Sequence, residues 1–232
     1  MMTFMRPTPL TVRAALHFSR FAEQTMGMPA VQYDSMPRRR WTAAQVRDLI
    51  EECRPSPRYE LIDGELLVTP SPGYAHQFAV MAFWDALDEY VKTEEIGIVM
   101  VSPADLELIE ENVTQPDVFV HREIDPADPE KGMTWTDINS LVLAIEIISP
   151  SSVRFDRIVK RDYYMDRARI SEYWVVDLVA QIVERWTPSR TTPIIDRKSL
   201  TWHPPGTKSA LVIDLEALFE EIRVASRMPR RI

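Results

Sequence analysis

The eight residues LVLAIEII, Leu141–Ile148, restrict the fold of this chain more than any other stretch of its sequence. Seven of the eight are apolar and most are branched, a pattern typical of a strand that is buried on both faces of a sheet. The exception is Glu146. A buried carboxylate is costly to ionise without a positive charge beside it. The run therefore predicts a central strand whose one acidic side chain has a cationic partner.

Short signals on both sides of this strand predict helices as well as further strands. Thr42–Gln45 fits a capping box before a helix, and Asp63-Gly64 between two β-prone runs is a strong signal for a tight hairpin. Helical periodicity and the breaker Pro150 predict further helices over about 74–92, 153–168 and 215–222. Additional strands are predicted at 97–101, 106–109, 115–121, 172–177, 181–187 and 211–213. The chain is therefore expected to be an α/β domain, with a mixed sheet flanked by helices.

The composition excludes several classes of protein. With 232 residues, the chain is long enough for one sizeable domain. Its single cysteine, Cys53, leaves no partner for an intramolecular disulfide and no cysteine-based zinc site. No apolar stretch reaches the roughly 18 residues that are typical of a membrane span. These features predict a protein without a membrane segment, and a cytoplasmic location fits them.

Residues 1–40 differ in charge from the rest of the chain. They carry six arginines against two acidic residues, a net charge of +4, so the total of −8 leaves −12 for residues 41–232. We interpret 1–40 as a disordered N-terminal extension, or as the product of an early start codon with Met28 or Met36 as the true start. Their Arg-rich, acid-poor make-up also resembles an organellar transit peptide. Residues 41–232 are expected to form the folded domain.

Three residues predict one catalytic site. Asp117 begins a strand, Glu146 lies inside the apolar strand, and Lys160 falls in the first turns of the following helix. Two carboxylates on neighbouring strands can bind a divalent cation such as Mg²⁺ or Mn²⁺. A lysine beside metal-bound water can stabilise charge that develops on phosphorus. The pattern therefore favours metal-dependent hydrolysis of a phosphodiester.

Each of these residues also has a simpler interpretation. Asp117 could be a solvent-exposed residue at the start of a strand. Glu146 could be a buried acid that is paired with a structural arginine or lysine. Lys160 could be a surface partner of Asp156, which lies one helical turn before it.

Four stretches, in this order, resemble the bacterial family of putative restriction endonucleases within the PD-(D/E)XK nuclease superfamily. They are YELIDGELLVTPSPGYAHQ, QPDVFV, EIISPSSVRFDRIVKRDYYM and SEYWVVD, and the resemblance spans about residues 59–186. It implies a restriction endonuclease-like core with an N-terminal helix and a β-hairpin, and a Mg²⁺-dependent endonuclease that acts on DNA. The superfamily pattern places a lysine two residues after the acid, where this chain has Ile148. Lys160 is the position that matches the lysine of the resembling family.

Further candidates are Glu60, His76 and three arginines. Glu60 matches a recurrent acid of the family; it could be an extra metal ligand, a base near the metal, or an ordinary strand-surface glutamate. His76 opens the long helix and could reach a phosphate or a water, or simply be solvated. The arginines Arg154, Arg157 and Arg161 lie on the helix after the apolar strand and are candidates for contacting DNA. Their alternative is an exposed basic helix face.

Two functions remain open from the sequence. The first is an endonuclease, in which Asp117 and Glu146 hold the metal, Lys160 assists the water, and a homodimer cuts both strands of DNA. The second is a catalytically inactive member of the same fold that binds a partner. The net charge of −12 for residues 41–232 favours the second function, because nucleic-acid binding normally uses a basic surface.

Overall fold

The structure is a computed structural model that describes residues 40–53, 57–149 and 152–227. Its helical elements are α1 (Ala43–Cys53), α2 (Tyr74–Thr93), a 3₁₀ turn (Trp135–Asp137), two π-helical segments (Phe155–Lys160 and Tyr163–Arg167) and α3 (Leu215–Ala225). Its strands are β1 (Arg58–Ile62), β2 (Glu65–Thr69), β3 (Ile98–Val101), β4 (Val118–His121), β5 (Leu143–Ile147), β6 (Glu172–Asp177), β7 (Ile182–Trp186), β8 (Ile194–Asp196), β9 (Ser199–Trp202) and β10 (Leu211–Asp214). The extension predicted over residues 1–40, apart from Arg40, and the predicted break at Pro150 lie outside the described residues.

Six of the ten described strands form one mixed sheet in the order β3-β4-β5-β6-β7-β8. β5 and β6 are parallel, and all other neighbours in this sheet are antiparallel. The predicted apolar strand is β5, which lies between β4 and β6 and has all five residues buried. This central position explains its sequence, because a strand with neighbours on both edges and layers on both faces exposes nothing to water.

Each face of the sheet carries its own hydrophobic core, because side chains alternate between the two faces of a strand. One face packs against α2 and α3 through a cluster that includes Phe83 and Ile145. The other face packs against the π-helical segments through a cluster that includes Ala144 and Tyr164. Glu146 has the same orientation as Ala144, so its carboxylate lies on the face that the π-helical segments cover.

The predicted N-terminal helix and hairpin both form. Thr42 and Gln45 close the capping box, since the Thr42 amide donates to Gln45 Oε1 at 3.2 Å and the Gln45 amide donates to Thr42 Oγ1 at 3.3 Å. Asp63 and Gly64 have φ angles of 55° and 77°. These are the two consecutive left-handed positions that a type I′ hairpin turn requires.

The helix predicted over 153–168 is helical, but most of it is π-helix. In this geometry the Ala168 amide donates to the Tyr163 carbonyl, five residues back, at 2.8 Å. Asp156 and Lys160 are both buried in the first π-helical segment. π-Helical turns are rare and occur frequently at functional sites.

No helix of the described residues is both long and apolar enough to cross a membrane.

Three predicted strands differ from the structure. The run 106–109 is not a strand, because a turn at 110–111 reverses the chain and leaves Leu106 a single bridge, to Thr114. The strand predicted at 115–121 begins at Val118, after Asp117. Residues 211–213 belong to β10, which pairs with β9 in a separate two-stranded sheet and not at the edge of the main one.

Candidate active site

Asp117 and Glu146 lie side by side across the β4–β5 pair. Val118 is paired with Ile145 in this antiparallel register. Asp117 therefore lies opposite Glu146, and directly opposed residues of an antiparallel pair share one face. The Ile147 amide donates to Asp117 Oδ2 at 2.8 Å, which fixes the carboxylate against β5. Both acidic side chains line a cavity of about 310 Å³, located where β4 begins and β5 ends.

Lys160 reaches the same cavity from the first π-helical segment. Its Nζ atom lies 2.8 Å from Glu60 Oε2, 2.9 Å from Glu146 Oε1 and 3.6 Å from Asp156 Oδ1. The Lys160 side chain is 4% exposed and that of Asp156 is 5% exposed, so the two do not form a surface pair. The cationic partner that the apolar strand required is therefore Lys160, and Asp156 is a buried residue of the same cavity.

Arg58 and His76 both contact Asp117. Arg58 Nη1 donates to Asp117 Oδ1 at 2.8 Å, and His76 Nε2 lies 3.0 Å from Oδ2. Burial alone would raise the pKa of the Asp117 carboxyl, but the hydrogen bond and charge of His76, together with Arg58 and Lys160, hold that pKa well below its usual value. Asp117 is therefore ionised throughout the physiological pH range. His76 Nδ1 is buried and has no hydrogen-bond partner among the described residues.

Glu146 is subject to the opposite electrostatic effect. Burial raises the pKa of its carboxyl well above the usual value, and Lys160 offsets only part of this increase. Asp117, Asp156 and Glu60 raise that pKa further, because each adds negative charge nearby. Burial alone would lower the pKa of Lys160, but the surrounding acids raise it well above its usual value. The lysine is therefore a permanent cation.

The cavity carries more negative than positive charge. It is lined by four carboxylates and two permanent cations: Glu60, Asp117, Glu146, Asp156, Arg58 and Lys160. With all four acids ionised and His76 neutral, the lining carries two more negative than positive charges. Glu146 Oε2 forms no hydrogen bond within the described part of the chain. These features fit a divalent cation such as Mg²⁺ or Mn²⁺, which prefers carboxylate oxygens.

Water would have to complete the coordination of such a cation. Across residues 40–53, 57–149 and 152–227, no group of three or more His, Cys, Asp or Glu side chains is arranged as a metal site. Mg²⁺ is usually bound through one or two carboxylates and keeps several waters. Two neighbouring carboxylates, such as those of Asp117 and Glu146, match the number that this cation commonly takes from a protein.

The β1–β2 hairpin adds Arg58 and Glu60 to the cavity. These residues are two apart on β1 and share one face of the strand. Glu60 Oε1 accepts the Gln115 amide at 2.7 Å, and a bridge between Leu61 and Val113 joins the hairpin to the segment before β4. The sequence interpretation did not include Arg58 in the site. Its alternation with Glu60 along β1 was the signal that could have identified it.

The three arginines predicted to contact DNA are not among the described residues that line the cavity. Arg154 is exposed. Arg157 Nη2 lies 2.6 Å from Glu184 Oε1, and Arg161 Nη1 lies 2.7 Å from Asp166 Oδ2. Two of the three arginines therefore have their charge balanced by nearby acids.

Comparisons with known proteins agree with this architecture. A family model, Uma2, described as putative restriction endonuclease, matches residues 44–216. No curated protein matches the chain. The chain is similar to the crystal structure of a putative nuclease belonging to DUF820 from Anabaena variabilis ATCC 29413, with a TM-score of 0.60 and 18% identity over 76% of this chain and 98% of that chain. At this identity, the likeness concerns the fold. Because the family model matches most of its length, the chain belongs to the Uma2 family of putative restriction endonucleases.

Proposed function

We propose that this protein is an endonuclease that hydrolyses phosphodiester bonds in DNA with Mg²⁺ or Mn²⁺ as its cofactor. One observation carries the proposal: Lys160 Nζ lies 2.8 Å from Glu60 and 2.9 Å from Glu146 in the cavity that also contains Asp117. Membership of the family supports nuclease chemistry. The carboxylates and the lysine are the groups that metal-assisted phosphodiester hydrolysis uses.

Asp117 and Glu146 are the residues that would hold the cation, whereas both oxygens of Glu60 are already engaged, by the Gln115 amide and by Lys160. The four acids outnumber the two permanent cations of the cavity by two, which supports this assignment because one divalent ion would balance the difference when all four acids are ionised. When bound, the cation would supply positive charge for a phosphoryl oxygen and would lower the pKa of a bound water.

The other residues of the cavity would position these groups. Arg58 and His76 hold the Asp117 carboxylate through its two oxygens. Glu60 holds Lys160 beside Glu146. Because its pKa is raised, Lys160 is a poor general base. We assign it the role of a fixed positive charge that stabilises negative charge developing on the phosphate.

A cleavage assay on plasmid DNA and on single-stranded DNA tests the proposal. Wild-type protein should cleave with Mg²⁺ or Mn²⁺ and should stop cleaving when EDTA is added. Glu146→Gln should be inactive. Glu172→Gln is the matched control, since Glu172 is a partly buried acid that pairs with Arg185 and does not line the cavity. Equal cleavage by the two variants, or cleavage that EDTA does not affect, would contradict the proposal.

A binding protein without catalytic activity is the second candidate. It is favoured by the net charge of −12 for residues 41–232 and by the ion pairs that neutralise Arg157 and Arg161. Such a protein would retain a Mg²⁺-dependent shift in melting temperature but would cleave neither substrate with any divalent metal. The assay above, run beside thermal melts, separates the two functions.

A homodimer is part of the proposed function. Two antiparallel DNA strands are related by a two-fold axis, so a two-fold dimer would present one cavity to each strand. Analytical ultracentrifugation of the full chain tests this directly. A monomer at all accessible concentrations, with double-strand cleavage retained, would exclude the dimer.

A further inference from the structure

Arg58 lines the cavity with one part of its guanidinium group already engaged. Nη1 donates to Asp117 Oδ1 at 2.8 Å and to the Gln115 carbonyl at 3.2 Å. The side chain of Arg58 is 17% exposed, whereas that of Asp117 is 3% exposed. The Nη1 end of the Arg58 guanidinium is therefore held by Asp117 and Gln115, and the side chain lines the cavity.

The remaining donors of Arg58 have no hydrogen-bond partner in residues 40–53, 57–149 and 152–227. A guanidinium group has five N–H donors in a planar fork, and both Nη1 hydrogens are used. Nε and Nη2 make no hydrogen bond within the described residues, and neither is among the polar atoms buried there without a partner. Three N–H groups are thus available, and two of them, one on Nε and one on Nη2, form an edge that can bind phosphate oxygens in a bidentate manner.

The other cations that line the cavity are less available to an anion. The Lys160 ammonium has three carboxylates around it, those of Glu60, Glu146 and Asp156. His76 contacts Asp117 through Nε2, and its Nδ1 is buried. A phosphodiester that enters this acid-lined cavity needs a cation with free donors, and Arg58 is the lining residue that provides one.

We infer that Arg58 is a substrate-binding residue whose guanidinium donates hydrogen bonds to the non-bridging oxygens of a DNA phosphate in the cavity. Asp117 fixes the orientation of that guanidinium. The inference rests on the proposed function and assigns to that site a direct contact with the phosphodiester backbone. Such a contact is independent of base sequence and depends on salt, because a neutralised phosphate releases its counterions.

Fluorescence anisotropy with a labelled duplex oligonucleotide tests the contact. Ca²⁺ replaces Mg²⁺ in the assay, because its larger and more irregular coordination shell should support binding with little cleavage, and gels check that the duplex stays intact. Arg58→Met should weaken binding about 10- to 100-fold. The slope of log K against log salt concentration should fall in magnitude by about 1, as expected for one lost phosphate contact.

Two further variants keep the experiment decisive if Arg58→Met folds poorly. Arg58→Lys retains a charge beside Asp117 but loses the bidentate edge, so its affinity should lie between wild type and Arg58→Met. Arg185→Met is the matched control, because Arg185 is a partly buried arginine paired with Glu172 and Asp196 and does not line the cavity. Its affinity and salt slope should equal those of the wild type.

Mg²⁺ binding, measured by calorimetry with the metal alone, separates substrate binding from a purely positioning role. Removal of a positive charge beside Asp117 should leave the Mg²⁺ affinity of Arg58→Met unchanged or tighter. If that variant instead loses Mg²⁺ as completely as Asp117→Ala while its salt slope stays at the wild-type value, Arg58 only positions Asp117 and the inference is wrong. Affinity and salt slope equal to those of the wild type would also overturn it.

The outcome for the wild-type protein distinguishes this inference from the proposed function. If the wild type binds duplex and Arg58→Met reduces the slope, but no divalent metal supports cleavage, the phosphate contact stands and the endonuclease does not. If the wild type neither binds nor cleaves DNA, both are wrong.

Discussion

Lys160 Nζ lies 2.9 Å from Glu146 Oε1, although the two residues are 14 positions apart and belong to a π-helical segment and a central strand. The position two residues after Glu146, where the wider superfamily has its lysine, is Ile148, which packs in the apolar cluster on the same face. The helix thus brings to the acid a charge that the strand does not supply.

Lys160→Met should reduce both stability and cleavage. Its loss leaves buried carboxylates without their cation, which typically destabilises a protein by about 3–5 kcal/mol. With saturating Mg²⁺ the variant should fold but cleave DNA roughly 10²–10³-fold more slowly. Denaturant melts and single-turnover kinetics measure the two effects. Lys92→Met is the control, because Lys92 is an exposed lysine in an i,i+4 pair with Asp88; cleavage by Lys160→Met at the rate of this control would contradict the assignment.

Glu146→Gln should stabilise the metal-free protein at pH 8. The substitution removes one buried negative charge from a cavity with an excess of them, and the gain should be about 1.4 kcal/mol for each unit by which folding raises the pKa of Glu146. The same variant should lose the stabilisation that Mg²⁺ gives the wild type. Urea melts with and without Mg²⁺ measure both quantities. A metal-free variant that is less stable than the wild type at this pH would show that the Glu146 carboxylate stabilises the folded protein even without a metal.

The stability of the metal-free protein should fall as the pH rises above about 4.5, the ordinary pKa of a glutamate. Because folding raises the pKa of Glu146, its protonated form favours the folded state; this contribution is complete below the unfolded pKa and is lost as the pH rises through the folded pKa. Asp117 has a lowered pKa, so its contribution is present above its unfolded pKa and is lost only in stronger acid.

Mg²⁺ should therefore raise the melting temperature more at pH 8 than at pH 5, because its ligands must be deprotonated. At 100 times the Kd the stabilisation should be about 2.7 kcal/mol. Scanning calorimetry across this pH range tests the trend. An equal shift in Asp117→Ala/Glu146→Ala would mean that the ion binds elsewhere.

Ile148→Lys should partly restore cleavage in the Lys160→Met background. Ile148 lies two residues after Glu146 and points to the same face of the sheet. The new ammonium could therefore approach the Glu146 carboxylate from the strand. Ile148 is 9% exposed and lies in an apolar cluster, so the double variant should be less stable than Lys160→Met. Single-turnover rates and melts of both proteins provide the comparison. Complete absence of rescue in a folded double variant would show that the helix supplies a geometry that the strand cannot reproduce.

The central strand and the pairing of Asp117 with Glu146 follow from the sequence, because burial and register depend on local patterns. The run around Glu146 is apolar on both faces, and Asp117 starts a second β-prone run. The residue pattern placed Lys160 in the same site and the family resemblance supported that position. Its hydrogen bond to Glu146 needed the structure, since spacing along the chain does not fix how a helix packs on a sheet.

Other features depend on tertiary contacts that no local pattern encodes. Asp156 looked like one half of a surface pair, yet the π-helical geometry and the sheet bury it. β8 and β9 are three and four residues long, too short for alternation to identify. Alternation along β1 could have placed Arg58 on the same face as Glu60, but its contact with Asp117 spans 59 residues of chain and depends on the tertiary structure.

The hairpin that carries Arg58 and Glu60 is a two-stranded sheet of its own, and Leu61 packs with α1 in a hydrophobic cluster separate from those of the main sheet. The other buried apolar side chains of this hairpin, Ile62 and Leu67, pack in the cluster that covers the Glu146 face of the main sheet. The placement of Arg58 and Glu60 in the cavity therefore depends on these two apolar contacts. Shortening either apolar side chain should shift both polar groups, so activity should be lost at substitutions that leave the six-stranded sheet folded.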